Sequence, residues 1–204
     1  MKRRLSLLAS ATMLCFVAAL ILPTIQSKAE VPLAANCTGK PDVAWREQVE
    51  GCTTAIESGK YAGKALAKAL TFRAQAYAQT GDLDRSLADI EQVIRLDPDD
   101  AFAFGARGDL HLVRKDYDGA LADYDKAIAL APNNDLAMAG RGIVFLAKGE
   151  LDRALTEFDH AVKLQPASAA ALYWRGITRR QTGDAAGAEA DIAAAKKIDP
   201  KVDQ

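Results

Sequence analysis

One charged pairing recurs along the chain at a fixed interval. Arg73, Arg107, Arg141 and Arg175 stand thirty-four positions apart, and sixteen positions after each comes an acid: Asp89, Asp123, Glu157 and Asp191. A guanidinium is planar and permanently charged, and it meets a carboxylate through two parallel hydrogen bonds. Two chemistries fit this pattern. One is a structural ladder of ion pairs that fixes how repeated units stack. The other is an arginine row that binds an anionic ligand. The matched acid available to every arginine favours the ladder. Spacing does not decide whether an acid meets the arginine of its own unit or of the next, because Asp89 and Arg107 are only eighteen positions apart.

Other reactive residue types are sparse. His111 and His160 are the two histidines, with no metal-ligand spacing around either and no triad with serine and acid. No phosphate-cradling glycine loop occurs. Asp97-Pro98-Asp99-Asp100 and Asp116-Tyr117-Asp118-Gly119 are acidic enough for calcium loops but lack the full ligand pattern. They read better as turns and helix caps. The expectation is no catalytic residue, no metal, no cofactor and no enzymatic activity.

Composition agrees with a globular chain. Of 204 residues, 50% are hydrophobic and 26% charged, enough apolar mass for a core. The formal net charge of -1 argues against a nucleic-acid binder, which needs cations to neutralise phosphates.

Residues 1–29 read as a secretory signal. Lys2, Arg3 and Arg4 precede an uncharged, largely apolar run from Leu5 to Leu22; Pro23 follows, and Ser27-Lys28-Ala29 offers a cleavage site. The run exceeds the usual signal core, so an uncleaved membrane anchor is the alternative. The chain is expected to be exported, periplasmic if bacterial, or else anchored in the inner membrane facing that space. Leu14 before Cys15 is too large for a lipidation motif. Cleavage removes four positive charges and no acid, leaving 22 positives against 27 negatives. It also leaves two cysteines, Cys37 and Cys52, which an oxidising compartment would join in a disulfide. The alternative is two buried thiols.

The elements that must position the ladder follow the same interval. Pro98, Pro132, Pro166 and Pro200 keep it without a slip. Small residues keep step (Ala74, Gly108, Gly142, Gly176; then Ser86, Ala120, Ala154, Ala188), as do large ones at Ile90, Tyr124, Phe158 and Ile192. Four units result, 67–100, 101–134, 135–168 and 169–202, preceded by an arm and capping helix over 30–66. Each unit reads as two helices. In the second, the spacing predicts helices over 101–114 and 118–131, joined by Lys115-Asp116-Tyr117. Gly81, Gly149 and Gly183 supply positive φ at this turn in the other units, where unit two has Lys115.

The ends also differ. Leu87 with Ile94, Leu121 with Ile128, and Leu155 with Val162 form apolar pairs that share one helix face, to be covered by the following unit. In unit four the same places hold Glu189 and Lys196, a polar cap. Trp45, Val49, Cys52 and Ile56 give one apolar stripe on a lead helix near 42–58.

These repeats resemble the tetratricopeptide repeat, a 34-residue helix–turn–helix unit, over 136 of the 204 residues. The resemblance implies an all-α, right-handed solenoid of antiparallel helix pairs whose concave face, lined by first helices, holds a partner peptide or helix. Carried onto this chain, the family's groove positions include Thr71 and Gln75 in unit one, and Phe102, Gly105, Asp109 and Leu112 in unit two. Ala139, Ile143 and Leu146 follow in unit three, and Tyr173, Ile177 and Arg180 in unit four. Leu136 joins Thr71 and Asp109 at the places where one subfamily clamps a terminal carboxylate with lysine and asparagine, so that use is not expected. The family more often has an apolar residue where the ladder arginines stand. The first-helix segments carry nine positives and two negatives, which weakly favours an acidic or neutral partner segment. The implied function is a non-enzymatic scaffold or adaptor with a protein or peptide partner and no nucleic acid. The alternatives are a self-associating protein of the cell envelope, hence a homo-oligomer, and an anion or small-molecule binding module using the arginine row.

Overall fold

Six of the nine helix starts among the described residues are set by side chains that satisfy first-turn N–H groups. The side chains of Asp82, Asp100, Asp116, Asn134, Ser168 and Asp184 each accept from the backbone N–H three residues on. The second helix of each unit ends before a proline: Pro98, Pro132, Pro166 and Pro200 each stand two residues past its last helical residue. The computed structural model describes residues 35–40 and 43–203. The signal reading of 1–29 lies outside the described residues.

Among the described residues there are nine helices and no strand: α1 (Trp45–Glu57), α2 (Gly63–Gln79), α3 (Leu83–Leu96), α4 (Ala101–Val113), α5 (Tyr117–Leu130), α6 (Asp135–Ala147), α7 (Leu151–Leu164), α8 (Ala169–Gln181) and α9 (Ala185–Ile198). Sequential helices pack on one another throughout, α1 on α2 through to α8 on α9. The result is an all-α helical-repeat solenoid. None of the described helices is long and apolar enough to cross a membrane.

Two boundaries differ from the sequence expectation. Tyr117 opens α5 instead of lying in the turn, because Asp116 caps the helix and takes the turn's last place. The lead helix starts at Trp45, and its most buried residues are Gln48, Cys52 and Ala55, with Trp45, Val49 and Ile56 only half-buried. On the buried face a disulfide joins Cys52 to Cys37, and both pack against Ala69 on α2. The arm is thereby pinned over the exposed end of the array.

Packing explains the small and large residues that share the repeat interval. A methyl group added at Gly108 would sit 2.8 Å from the Tyr124 ring; at Gly142 it would meet Phe158 and at Gly176 Ile192, each also at 2.8 Å. The helices of a pair approach closely because one side has no Cβ. Cores of successive units are continuous: Ile94 packs into those of units one and two, and Leu121 into those of units two and three. At the far end Glu189 and Lys196 are exposed.

Lys115 carries a local cost. Its φ is 60°, in the region where Gly81, Gly149 and Gly183 sit at 82°, 77° and 91°. A side chain there costs roughly 1 kcal/mol. Lys115→Gly is expected to stabilise the protein by up to about 1 kcal/mol in urea unfolding. Reduction of the Cys37–Cys52 bond is expected to cost about 3 kcal/mol in the same measurement, since it frees a closed loop.

Candidate functional site

The ladder joins each arginine to the acid of its own unit. Arg73 donates to Asp89 through Nε and Nη2, both at 2.8 Å. Arg107 holds Asp123 at 2.8 and 2.7 Å, and Arg175 holds Asp191 at the same distances. Arg141 differs. Glu157 is one methylene longer, and both its oxygens accept from Nη2, at 2.8 and 2.9 Å. That leaves Arg141 Nε buried without a partner. The four carboxylates are nearly out of solvent, between 6% and 11% exposed.

A second acidic row, absent from the sequence reading, links units. Arg141 Nη1 also donates to Asp125 at 2.6 Å, and Arg175 Nη1 to Asp159 at 2.9 Å. Both acids lie on the second helix of the preceding unit. Glu91 acts on Arg107, and Glu57 on Arg73, through charge alone. Glu57, Glu91, Asp125 and Asp159 recur at the same interval as the arginines, a signal that was present in the sequence. Hydrogen bonds to Asp89, Asp123 and Asp191 raise the pKa of Arg73, Arg107 and Arg175 against burial. At Arg141 burial is the largest influence and lowers it, but Asp125 and Glu157 together outweigh it. Every ladder guanidinium is thus committed to a carboxylate. Of the histidines, His111 meets Asp116 at 2.8 Å through Nδ1 and ties α4 to the cap of α5, while His160 is exposed.

First helices of successive units touch directly, α4 with α6 and α6 with α8, so they form the inner wall of the curve. A cavity of about 370 Å³ opens between α2 and α4, and the residues around it include Thr71, Gln75, Phe102, Asp109 and Val113. A smaller one between α4 and α6 is bordered by Phe102, Gly105, Asp109, Tyr124 and Leu136. The structure therefore brings Thr71, Gln75, Phe102, Gly105 and Asp109 of units one and two together, with Leu136 of unit three. Phe102, Val113 and Leu136 are 60%, 63% and 67% exposed.

The remaining groove candidates are divided. Leu112 packs on the core of unit two; Ala139 is itself buried in the core of unit three, where Ile143 and Leu146 pack half-buried. Tyr173 stacks edge-on against Trp174, Ile177 is half-buried and Arg180 is exposed. Core and groove stripes share one helical spacing, which is why sequence did not separate them.

Sequence reasoning also missed the coupling of Tyr124 to Asp109. The Tyr124 hydroxyl donates to Asp109 Oδ1 at 2.7 Å. Its ring reaches there between Gly108 and Gly140, where added methyl groups would lie 2.8 and 2.5 Å away. Asp109 is open to solvent but seated among protein atoms on most sides. That environment raises its pKa, and the Tyr124 bond opposes the rise. Burial, then the Asp109 charge, pushes the Tyr124 hydroxyl far above its usual range. The signals were a tyrosine at the large-residue position and an acid where other units have Gln75, Ile143 and Ile177.

The family model described as "Tetratricopeptide repeat" matches residues 73–135 and 140–203. The chain belongs to the tetratricopeptide repeat family. No curated protein matches it. Among solved structures, a crystal structure of MamA is similar at 19% identity and a TM-score of 0.62, covering 76% of this chain and 91% of that one. MamA from Desulfovibrio magneticus RS-1, residue 41 to the end, has 20% identity and a TM-score of 0.62, with 78% and 88% covered. The first repeat domain of Spaghetti (RPAP3), bound to an HSP90 peptide SRMEEVD, has 20% identity and a TM-score of 0.54, with 57% and 93% covered. These likenesses show the fold.

The ladder makes a specific thermodynamic prediction. Arg73→Met leaves the nearly buried Asp89 without its counter-ion and is expected to cost about 3 kcal/mol. Adding Asp89→Leu removes the stranded charge and is expected to recover most of that loss. Urea unfolding of the two variants checks both.

Proposed function

We propose that this protein is a non-enzymatic adaptor that holds a segment of a partner protein in the concave groove, and that it does so after export. The observation that carries this reading is the set of exposed apolar side chains on the inner wall, Phe102, Val113 and Leu136. Side chains of this kind lose water favourably when a partner covers them. The wall beneath is held by packing between successive units, and Arg141 and Arg175 add bonds across the boundaries after units two and three. A preformed surface binds a peptide without a large ordering cost on its own side. A repeat domain of the same fold, that of RPAP3, is seen with a peptide bound. The charged start and apolar run of residues 1–29 support export.

The anion-binding reading of the arginine row has less to support it. Each of these guanidiniums already bonds a carboxylate.

The test is crosslinking in the native host, followed by pull-down from the osmotically released fraction. The intact protein is compared with a Phe102→Ala, Leu136→Ala double variant of unchanged helical spectrum. Both side chains are exposed, so their loss leaves the core intact. A partner captured by the intact protein and reduced at least about tenfold with the variant is the expected result. Equal capture by both would overturn the reading.

A further inference from the structure

We propose that the groove formed by α2, α4 and α6 receives a partner segment through a Lys or Arg side chain set among apolar residues, with the Asp109 carboxylate as its counter-ion. This rests on the groove reading above and names the chemistry of its occupant.

Charge placement carries the argument. Asp109 borders both inner-wall cavities, and among the described residues it is the single charged one in each lining. The neighbours are amides, a hydroxyl or two, and apolar side chains, with Phe102 shared by both cavities. The ladder acids each have an arginine, whereas Asp109 meets no cation among the described residues. Its Oδ1 accepts from Tyr124, which fixes the carboxylate's direction and leaves Oδ2 free of any described partner.

An anion so placed attracts a cation more strongly than one on an open surface, because less water screens it. The protein atoms around the exposed carboxylate pull its pKa upward, as the concave wall would, and the Tyr124 bond opposes that pull. A lysine or arginine side chain matches the site along its length. Its aliphatic stem can lie against Phe102 and Leu136 while its charged end reaches Oδ2. The Phe102 ring face favours a cation as well. Apolar residues beside that cation in the partner would cover Val113 and Leu136, which stand exposed on either side.

The segment sum of first-helix charge points the other way, toward an acidic or neutral partner. Local placement outweighs that sum. Four of those positives are ladder arginines already bonded to acids, and no basic residue among the described ones lines either cavity. An acidic segment like the SRMEEVD peptide of the RPAP3 structure would bring like charges to Asp109.

The test is a random peptide library displayed on phage, selected against the immobilised disulfide-bonded protein and, in parallel, against Asp109→Asn. Asparagine keeps the shape and the acceptor for Tyr124 and removes the charge. Peptides recovered on the native protein are expected to be enriched in lysine or arginine beside apolar residues, and that enrichment is expected to vanish on the variant. Replacing the basic residue of a recovered peptide by glutamine should lower affinity about tenfold or more for the native protein, with little effect for Asp109→Asn. Phe102→Ala should weaken binding to both. Recovered peptides that need Phe102 but contain no basic residue would overturn the cation inference and leave the groove reading standing. Basic peptides that bind Asp109→Asn equally well would also overturn it. Peptides indifferent to Phe102→Ala, or a selection that recovers none, would remove the groove reading and this inference with it.

Discussion

A short helix pair has two apolar faces and its own hairpin covers only one. The second must be covered by something else, and in this chain that is the next copy of the same pair. The half-buried Leu87, Ile94, Leu121 and Val162 are covered in this way. Everything else follows from that need. The array must end somewhere, so the last unit carries Glu189 and Lys196 where earlier ones are apolar. It must also begin somewhere, so a disulfide-pinned arm and α1 shield α2. Stability is then the sum of unit and interface contributions.

Apolar packing alone tolerates slippage, and the arginine ladder answers that. Nearly buried carboxylates are costly unless a cation reaches them with good geometry. A shift of one residue between the helices of a unit would strand that unit's acid, be it Asp89, Asp123, Glu157 or Asp191. Arg141 and Arg175 also reach back to Asp125 and Asp159 on the preceding unit, so in these two units one side chain fixes both the pairing within a unit and the stacking on the unit before. Arg141 shows how tight the fit is: exchanging aspartate for the longer Glu157 leaves its Nε with no partner.

The groove is the by-product of that stacking. First helices lie inside the curve, and their outward positions are released from packing. Where packing still claims them, as at Ala139 and Ile143, the side chain is core. Where it does not, as at Phe102 and Leu136, an apolar side chain is left facing solvent. Unit two departs most from the repeat. Tyr124 is the one hydroxyl-bearing residue at the large position, and two glycines on different units make room for it to reach Asp109.

The repeat interval was enough to determine the helix pairs, the ends of the second helices near each proline, the polar last unit and one matched acid for each arginine, because repeat, cap and breaker act over short stretches of chain. Sequence left open whether a ladder acid meets the arginine of its own unit or of the next, and the structure answers that it is its own, while a second guanidinium edge of Arg141 and Arg175 reaches other acids on the preceding unit. It also did not separate core from groove among Leu112, Ala139, Ile143 and Leu146, because the two faces differ by a rotation smaller than helical spacing resolves. The buried Gln48 on α1 and the bond from Tyr124 to Asp109 were likewise decided only by tertiary structure. Such contacts depend on how close two helices come, and that distance is set by glycines and neighbours far apart in the chain.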